Sequence, residues 1–300
     1  MMHRLKRLLV AAMIGLALGS VALSVVVVEG AVRIWQRPRP LASDAVGVTQ
    51  PIGANWEAVQ VKARDGVVLD AWLFTPRQPN GSAVILLHGV GDTRLGTLSQ
   101  AQFLLRAGFM ALTPDCRGHG ASGGDLISYG IREAGDVHAW ADWLFRTRGI
   151  QRLYGLGTSL GAAILLESLP LEPRFRAVVA DSPFATFEEV AYDRLAQGSR
   201  IGWRPALWPV VNIGFLYARV RYGMDLGQAS PANAVRSTHV PILLIHGTSD
   251  THIPVRHSEE LHALNPGATV LWKIQAAEHM EAVSTKPEEY ARRVTEWFRK

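Results

Sequence analysis

The stretch Tyr154–Ala162 constrains the fold of this chain more than any other part of the sequence. It contains Gly-Thr-Ser-Leu-Gly at 157–161, a G-x-S-x-G pattern typical of a serine at the tip of a sharp turn from a strand into a helix. A Cβ atom at either glycine would collide where strand and helix approach, and the turn exposes the hydroxyl of Ser159. The flanking sequence agrees, because 152–156 predict a short strand and 160–168 predict an alanine- and leucine-rich helix.

The same pattern occurs a second time, around Ser122. With 28 glycines in 300 residues, a chance match should arise about 0.1 times per chain, so context must decide between the two. Pro114 ends the preceding strand well upstream of Ser122, and a glycine-rich loop follows instead of a helix. Ser159 is therefore the candidate nucleophile, and Ser122 is the alternative.

Strand and helix signals alternate from Trp56 to the C-terminus. Two strands joined at Asp65-Gly66 resemble an antiparallel hairpin at a sheet edge. The later strands are continuous apolar runs separated by helical patterns, which predicts a mostly parallel twisted sheet with helices on both faces. Residues 182–240 are too many for a simple crossover and are expected to form an insertion. The predicted strands are 58–61, 67–74, 83–87, 109–113, 152–156, 177–181, 241–246 and 269–274.

An uncharged apolar run, Leu8–Val28, precedes this region. At ~1.5 Å per residue it is long enough to cross a ~30 Å hydrocarbon core as a helix. A cleaved signal peptide is the alternative, since small residues at 22–24 suit a signal peptidase, but its apolar region is usually shorter. We expect residues 1–30 to be a membrane anchor or signal segment, 31–55 a proline-containing linker, and 56–300 the folded domain.

The orientation of this segment is indicated by its first seven residues, which resemble the basic start of a signal sequence that normally stays inside the cell. The positive-inside rule alone does not decide, because three basic residues flank the run on each side. We expect a single-pass protein of the cell membrane with its folded domain outside the cytoplasm.

The net charge of +5 does not indicate a nucleic-acid partner. Residues 1–40 contain six lysines and arginines against one glutamate, so this segment carries the whole net charge. The rest of the chain is balanced and offers no basic stripe for phosphates.

The ordered motifs resemble those of an α/β-hydrolase from about residue 56 to the C-terminus. They are His-Gly-Val-Gly-Asp at 88–92, Asp-Cys-Arg-Gly-His-Gly at 115–120, the turn at Ser159, His-Gly-Thr-Ser-Asp at 246–250, and Ala-Glu-His at 277–279. The resemblance is greatest to the esterase and serine-aminopeptidase-like branch, related to the catalytic domains of prolyl oligopeptidases. It implies an α/β-hydrolase fold with a helical lid insertion at 182–240, and a reaction that needs no cofactor or metal.

A serine hydroxyl needs a base to act as a nucleophile near pH 7, and histidine, with a pKa of ~6.5, is suited to that role. A carboxylate then orients the imidazole and stabilises its charged form. The order Ser, acid, His in this family points to Asp250 and His279, both placed just beyond predicted strands at the sheet edge where Ser159 emerges. Asp181, after the preceding strand, is the alternative acid.

Other histidines compete for the role of base. The five-residue spacing of His252, His257 and His262 misses the i, i+4 spacing of a helical zinc site, so we expect solvated helix and loop positions for them. His88 and His246 end strands and are expected to serve packing and backbone hydrogen bonds, as is His119.

The resemblance implies an oxyanion hole formed by the backbone N–H groups of Val90 and Leu160. It also places aromatic side chains of the insertion where the superfamily forms its acyl pocket, although each could equally pack the lid onto the domain. These are Phe184, Phe187, Tyr192, Trp203, Trp208, Phe215, Tyr217 and Tyr222.

We expect a membrane-tethered serine hydrolase, foremost a carboxylesterase for small or medium acyl groups acting through an acyl-enzyme. A serine peptidase of the aminopeptidase type is the second possibility. A catalytically silent, membrane-attached binding module is the third, and the intact set of Ser159, Asp250 and His279 argues against it.

Overall fold

The computed structural model describes residues 2–33, 39–199 and 203–300. Within these ranges one eight-stranded sheet forms, flanked by helices. The strands are β1 Asn55–Lys62, β2 Val68–Thr75, β3 Ser82–Leu87, β4 Met110–Pro114, β5 Arg152–Thr158, β6 Phe175–Asp181, β7 Ile242–Gly247 and β8 Thr269–Ile274. The helices are α1 Met2–Val32, α2 Ala42–Thr49, α3 Leu98–Arg106, α4 Glu133–Arg148, α5 Leu160–Ser168, α6 Phe187–Ser199, α7 Arg204–Tyr222, α8 Pro231–Ser237, α9 Arg256–Leu264, α10 Ala282–Thr285 and α11 Pro287–Trp297.

The sheet has the order β1-β2-β4-β3-β5-β6-β7-β8. Strand β2 is antiparallel to both β1 and β4, and the remaining neighbours are parallel. The predicted mostly parallel sheet with an antiparallel hairpin at one edge is confirmed.

Helices cover both faces of the sheet. Successive side chains of a strand point to opposite faces, so each central strand contributes to two buried clusters. On one face, Ile85 of β3 belongs to a buried cluster with Trp140 of α4. On the other, Val84 packs in a second cluster with Leu104 of α3 and Tyr290 of α11. Strands buried on both sides explain why β3 and β7 are continuous apolar runs.

The parallel arrangement brings the carboxyl ends of β3, β5, β6, β7 and β8 to one edge of the sheet. The loops that follow these strands carry the residues that sequence reasoning selected. Open α/β sheets bind their ligands at this edge.

The insertion between β6 and β7 contains α6, α7 and α8, as expected of a helical lid. Its residues 200–202 lie outside the described residues, as do residues 34–38 of the expected linker. We refer to α6 and α7 together as the lid.

Helix α1 contains the whole apolar run Leu8–Val28, but only the first part of the helix makes no contact with other described residues that buries its side chains. Residues 3–19 are exposed, whereas Ser24, Val28 and Val32 are buried against the lid and the domain. The second part of the expected anchor is therefore also part of the protein core.

Part of the range 31–55 differs from the expected linker. Helix α2 lies there, and Ala45 and Val48 are buried in the cluster that contains Leu104 of α3. The spacing of these two residues places both on one face of a helix, which the proline and small-residue content of the segment obscured.

Candidate active site

Ser159 occupies a strained turn between β5 and α5. Its backbone has φ 52° and ψ −116°, a conformation that a residue with a side chain rarely adopts. The turn is fixed on one side by the Ser159 N–H, which donates to the Asp181 carbonyl at 2.8 Å. On the other side, the Ser159 carbonyl accepts from Ala163 N–H in the first turn of α5 at 3.1 Å.

The two glycines of the pattern are required by close backbone contacts. A Cβ atom on Gly157 would lie 2.3 Å from the carbonyl oxygen of Gly161. A Cβ atom on Gly161 would lie 2.3 Å from the carbonyl oxygen of Leu87, at the end of β3. Side chains at these two positions would push α5 away from the sheet and so displace Ser159.

A chain of hydrogen bonds joins Ser159 to His279 and Asp250. The Ser159 hydroxyl lies 2.9 Å from His279 Nε2, and His279 Nδ1 lies 2.6 Å from Asp250 Oδ2. With the proton on Nδ1 donated to the carboxylate, Nε2 is free to accept from the serine hydroxyl. The three residues selected by sequence reasoning therefore meet in the geometry expected of a nucleophile, a base and an orienting acid.

The carboxylate of Asp250 is held by further donors. Its Oδ1 accepts from the backbone N–H groups of His252 and Ile253, both at 2.9 Å, and His246 Nε2 lies 3.3 Å from Oδ2. Burial favours the neutral form of Asp250, but hydrogen bonds from His246 and His279 outweigh it and hold the pKa of this carboxyl well below its usual range. Asp250 is therefore ionised at neutral pH.

Asp181, the alternative acid, lies at the end of β6 but is not hydrogen-bonded to His279 in the described part of the chain. Its Oδ1 accepts from the Ser182 hydroxyl at 3.0 Å. Complete burial raises the pKa of Asp181 to about 6. Both carboxyl groups are buried, but their pKa values are shifted in opposite directions, and of the two only Asp250 is hydrogen-bonded to His279.

Ser122, the alternative nucleophile, is a buried structural residue. Its hydroxyl donates to the Asp115 carbonyl at 2.6 Å and accepts from the Asp70 N–H at 2.9 Å. These bonds tie the loop after β4 to β2.

The remaining histidines only partly follow expectation. His88 Nε2 accepts from the Cys116 N–H at 3.0 Å, as expected of a packing residue. His257 was expected at a solvated position, but it is fully buried and bonds to Asp193 of the lid at 3.0 Å. His252 is exposed, yet its ring stacks on that of His279 at 5.5 Å between centroids. Its position two residues after Asp250 was the available signal for this contact.

The expected oxyanion donors lie beside the serine. Val90 and Leu160 line the same cavity as Ser159. Leu160 is the first residue of α5, where backbone N–H groups have no partner within the helix. The loop of Val90 approaches closely, since a Cβ atom on neighbouring Gly89 would lie 3.5 Å from Ser159 Cβ.

The hydroxyl of Ser159 opens into a cavity of about 620 Å³ between the domain and the lid. This is within the usual size range of small-molecule sites, ~300–1,000 Å³. Of the eight aromatic residues of the insertion, Phe184, Phe187 and Phe215 line it. Phe187 and Phe215 stack with ring centroids 6.0 Å apart. The other five do not line the cavity in the described residues.

Sequence reasoning missed one wall of the cavity, formed by Val27, Val28 and Ala31 of α1. A signal was present, because Ser20 and Ser24 put small polar side chains at i, i+4 on one face of an otherwise apolar helix.

One group of potential metal ligands, His138, Asp142 and Glu172, occurs among the described residues. The guanidinium of Arg174 already pairs with both carboxylates, at 2.6 Å and 2.5 Å. The two carboxylates of this group are therefore already paired with a cationic side chain.

Comparison with known proteins gives one family. Residues 84–293 match the model described as the alpha/beta hydrolase family. An uncharacterized protein of Bacillus subtilis, YqkD, is 30% identical over 220 residues, covering 72% of this chain and 71% of the relative. An uncharacterized protein of Escherichia coli, YfhR, is 28% identical over 239 residues, covering 77% and 75%.

Solved structures share the fold. The Pyrococcus furiosus esterase Pf2001 superposes with a TM-score of 0.71 at 24% identity, covering 89% of this chain and 98% of that one. The Pyrococcus horikoshii acylaminoacyl peptidase gives a TM-score of 0.63 at 15% identity, covering 82% and 41%.

The contact at Gly161 predicts that Gly161→Ala lowers the melting temperature and any hydrolytic activity, because the new methyl group meets backbone atoms that cannot move aside. The matched control is Gly135→Ala in α4, where a Cβ atom meets nothing within 4 Å. That change should be neutral or should stabilise by about 0.5–1 kcal/mol. Thermal unfolding of both variants measures the difference, and equal melting temperatures would contradict the packing described.

Proposed function

Because the chain belongs to the alpha/beta hydrolase family, we propose that it is a serine hydrolase that cleaves carboxylic esters of small or medium acyl groups. The observation that carries the proposal is the continuous hydrogen-bond chain from Ser159 through His279 to Asp250. In this proposal Ser159 is the nucleophile, His279 the general base and Asp250 the orienting acid.

The reaction would proceed through an acyl-enzyme. His279 Nε2 takes the proton as Ser159 Oγ attacks the ester carbonyl, and the ionised Asp250 stabilises the imidazolium that forms. The backbone N–H groups of Val90 and Leu160 stabilise the oxyanion. His279 then gives its proton to the departing alkoxide. In the second half of the reaction, His279 takes a proton from water as the water attacks the acyl-enzyme, and returns it to Ser159 Oγ as the carboxylic acid leaves.

The lining of the cavity supports an ester substrate over an aminopeptidase substrate. The described residues that line it are largely apolar and include no aspartate or glutamate. An aminopeptidase has to bind the charged ammonium of its substrate, which requires an acidic partner in a site shielded from water. The cationic Arg194 is instead part of this lining.

We also propose that α1 anchors the protein in the cell membrane with the hydrolase domain outside the cytoplasm. The exposed part, His3–Gly19, supplies about 25 Å of helix, within the range of short spanning segments if the basic side chains near its start reach the headgroups. Trp203 and Trp208 are exposed and precede Val210, whose carbonyl contacts Ser24 of α1. Tryptophan is enriched at the membrane–water boundary.

The nucleophile is tested by Ser159→Ala. We expect a loss of about 10⁴-fold or more in kcat on p-nitrophenyl esters, and loss of labelling by a fluorophosphonate. Ser122→Ala is the matched control and should still be labelled, since its hydroxyl holds a loop and is not in contact with His279. Labelling that survives in Ser159→Ala, or amide hydrolysis faster than ester hydrolysis in the wild type, would overturn this part of the proposal.

The acid is tested by comparing Asp250→Asn with Asp181→Asn. Asp250→Asn should lower kcat by about 10⁴-fold, because His279 loses its charged partner. Asp181→Asn should have a much smaller effect. If Asp181→Asn is the more damaging change, the acid role belongs to Asp181.

The same Asp181→Asn variant has a second readout. Since burial raises the pKa of Asp181 to about 6, the folded state binds this proton more tightly than the unfolded chain does. The contribution of Asp181 to the free energy of unfolding therefore falls as pH rises from the usual carboxyl pKa range through about 6. Melting temperatures measured across this range should fall less with pH in Asp181→Asn than in the wild type.

The membrane arrangement is tested by fractionation and protease digestion. The full-length chain should stay with membranes after a carbonate wash, and protease added to spheroplasts should digest the hydrolase domain. A protected domain would reverse the orientation. A soluble product that starts near Val25 would replace the anchor with a signal peptide.

A further inference from the structure

The second part of α1 is fixed against the lid by specific contacts. The Ser24 hydroxyl lies 2.9 Å from the Val210 carbonyl, and a Cβ atom on Gly214 would lie 3.0 Å from Val28 Cγ2. These two contacts, four residues apart on both helices, show that α1 and α7 run side by side in the same direction.

Polar contacts continue to the end of the helix. The carboxylate of Glu29 accepts from the hydroxyls of Tyr217, at 2.7 Å, and Tyr222. The Tyr129 hydroxyl donates to the Ala31 carbonyl at 2.8 Å, and the Ile127 N–H donates to the Val32 carbonyl at 2.9 Å. The end of α1 is therefore bound by hydrogen bonds both to the lid and to the rest of the domain.

This position puts α1 in the wall of the cavity that holds Ser159. Val27, Val28 and Ala31 line it, facing a space also lined by Phe187 and Phe215 of the lid. Val26, one residue earlier, points away from the protein and is 68% exposed. Neighbouring valines of one helix thus differ in whether they can touch a substrate.

We propose that the second part of α1, Val25–Val32, forms one wall of an acyl-binding subsite, and that Val27 and Ala31 limit the acyl chain that fits beside Ser159. The inference rests on the proposed serine hydrolase activity. The subsite takes the hydrocarbon chain of an ester, since its wall from α1 presents only aliphatic side chains.

The proposed anchor and the proposed subsite are therefore two parts of the same helix, α1. The exposed part of the helix ends at Gly19, and Val27 follows about 12 Å further along its axis. The subsite therefore lies close to the surface of the bilayer, where esters with apolar chains accumulate.

The experiment compares Val27→Phe with Val26→Phe in the full-length protein in detergent. The readout is the ratio of kcat/KM for p-nitrophenyl octanoate to that for p-nitrophenyl acetate. A phenyl group at position 27 fills space needed by the longer chain, so this ratio should fall by about 10-fold or more, since even one methylene in a hydrophobic pocket is worth ~10–200-fold. Val26→Phe should leave the ratio unchanged.

A second variant keeps the test decisive if Val27→Phe folds poorly. Val27→Ala enlarges the cavity and should raise kcat/KM for p-nitrophenyl laurate relative to the octanoate, while Val26→Ala should not. If the substitutions at Val27 change these kcat/KM ratios no more than the matched substitutions at Val26 do, the subsite proposal is wrong, whereas the proposed hydrolase activity is unaffected. Failure of the proposed activity has a different signature, in which the wild type neither hydrolyses the acetate ester nor reacts with a fluorophosphonate.

Discussion

The close approach of α5 to the sheet is the constraint on which the site depends. With glycine at 157 and 161, the backbone of α5 comes within contact distance of the end of β3, and Ser159 is held with φ 52° at the tip of the turn. Backbone strain of this kind costs about 1–3 kcal/mol and persists only where the surrounding structure enforces it. Here the enforcement comes from the Asp181 carbonyl on β6 and from the first turn of α5. The serine is therefore positioned by the core of the protein.

The same sheet edge places two carboxyl groups near one histidine and gives them opposite properties. Asp250 accepts hydrogen bonds from two N–H groups of its own loop and from His279, and His246 Nε2 lies 3.3 Å from it, so its charge is stabilised. Asp181 is buried with one hydroxyl donor to its Oδ1, and its pKa is raised to about 6. Pairs of titratable groups whose environments push their pKa values apart are typical of sites that assign distinct roles to similar side chains. Both strands end at the same edge, and the hydrogen bonds of the two carboxyl groups distinguish Asp250, which contacts His279, from Asp181, which contacts Ser182.

Apolar runs and their ends predicted the sheet and the insertion, and the glycine pattern predicted the turn at Ser159. Asp250 and His279 were selected by combining strand ends with the chain order of the resembled family, and Asp181 stayed open as the alternative acid. The burial of His257 was not predictable, since it depends on how the lid packs. The contact of His252 with His279 was indicated only by the position of His252 two residues after Asp250. The docking of α1 was missed for a more general reason. An apolar helix face satisfies lipid and protein alike, and only Ser20 and Ser24 distinguished the docked face from the free one. The segment assigned to the membrane thus also contributes Val27 and Ala31 to the cavity.

In the proposed mechanism, Ser159 attacks an acyl carbon whose oxygen is held by the backbone N–H groups of Val90 and Leu160. A crystal structure of the protein after reaction with a small alkyl fluorophosphonate tests it most directly. We predict a bond from phosphorus to Ser159 Oγ, with the phosphoryl oxygen within ~3.1 Å of the N–H groups of Val90 and Leu160. We also predict that the alkyl group lies in the cavity lined by α1. A phosphonyl group on another residue, or a phosphoryl oxygen directed away from both N–H groups, would contradict the account.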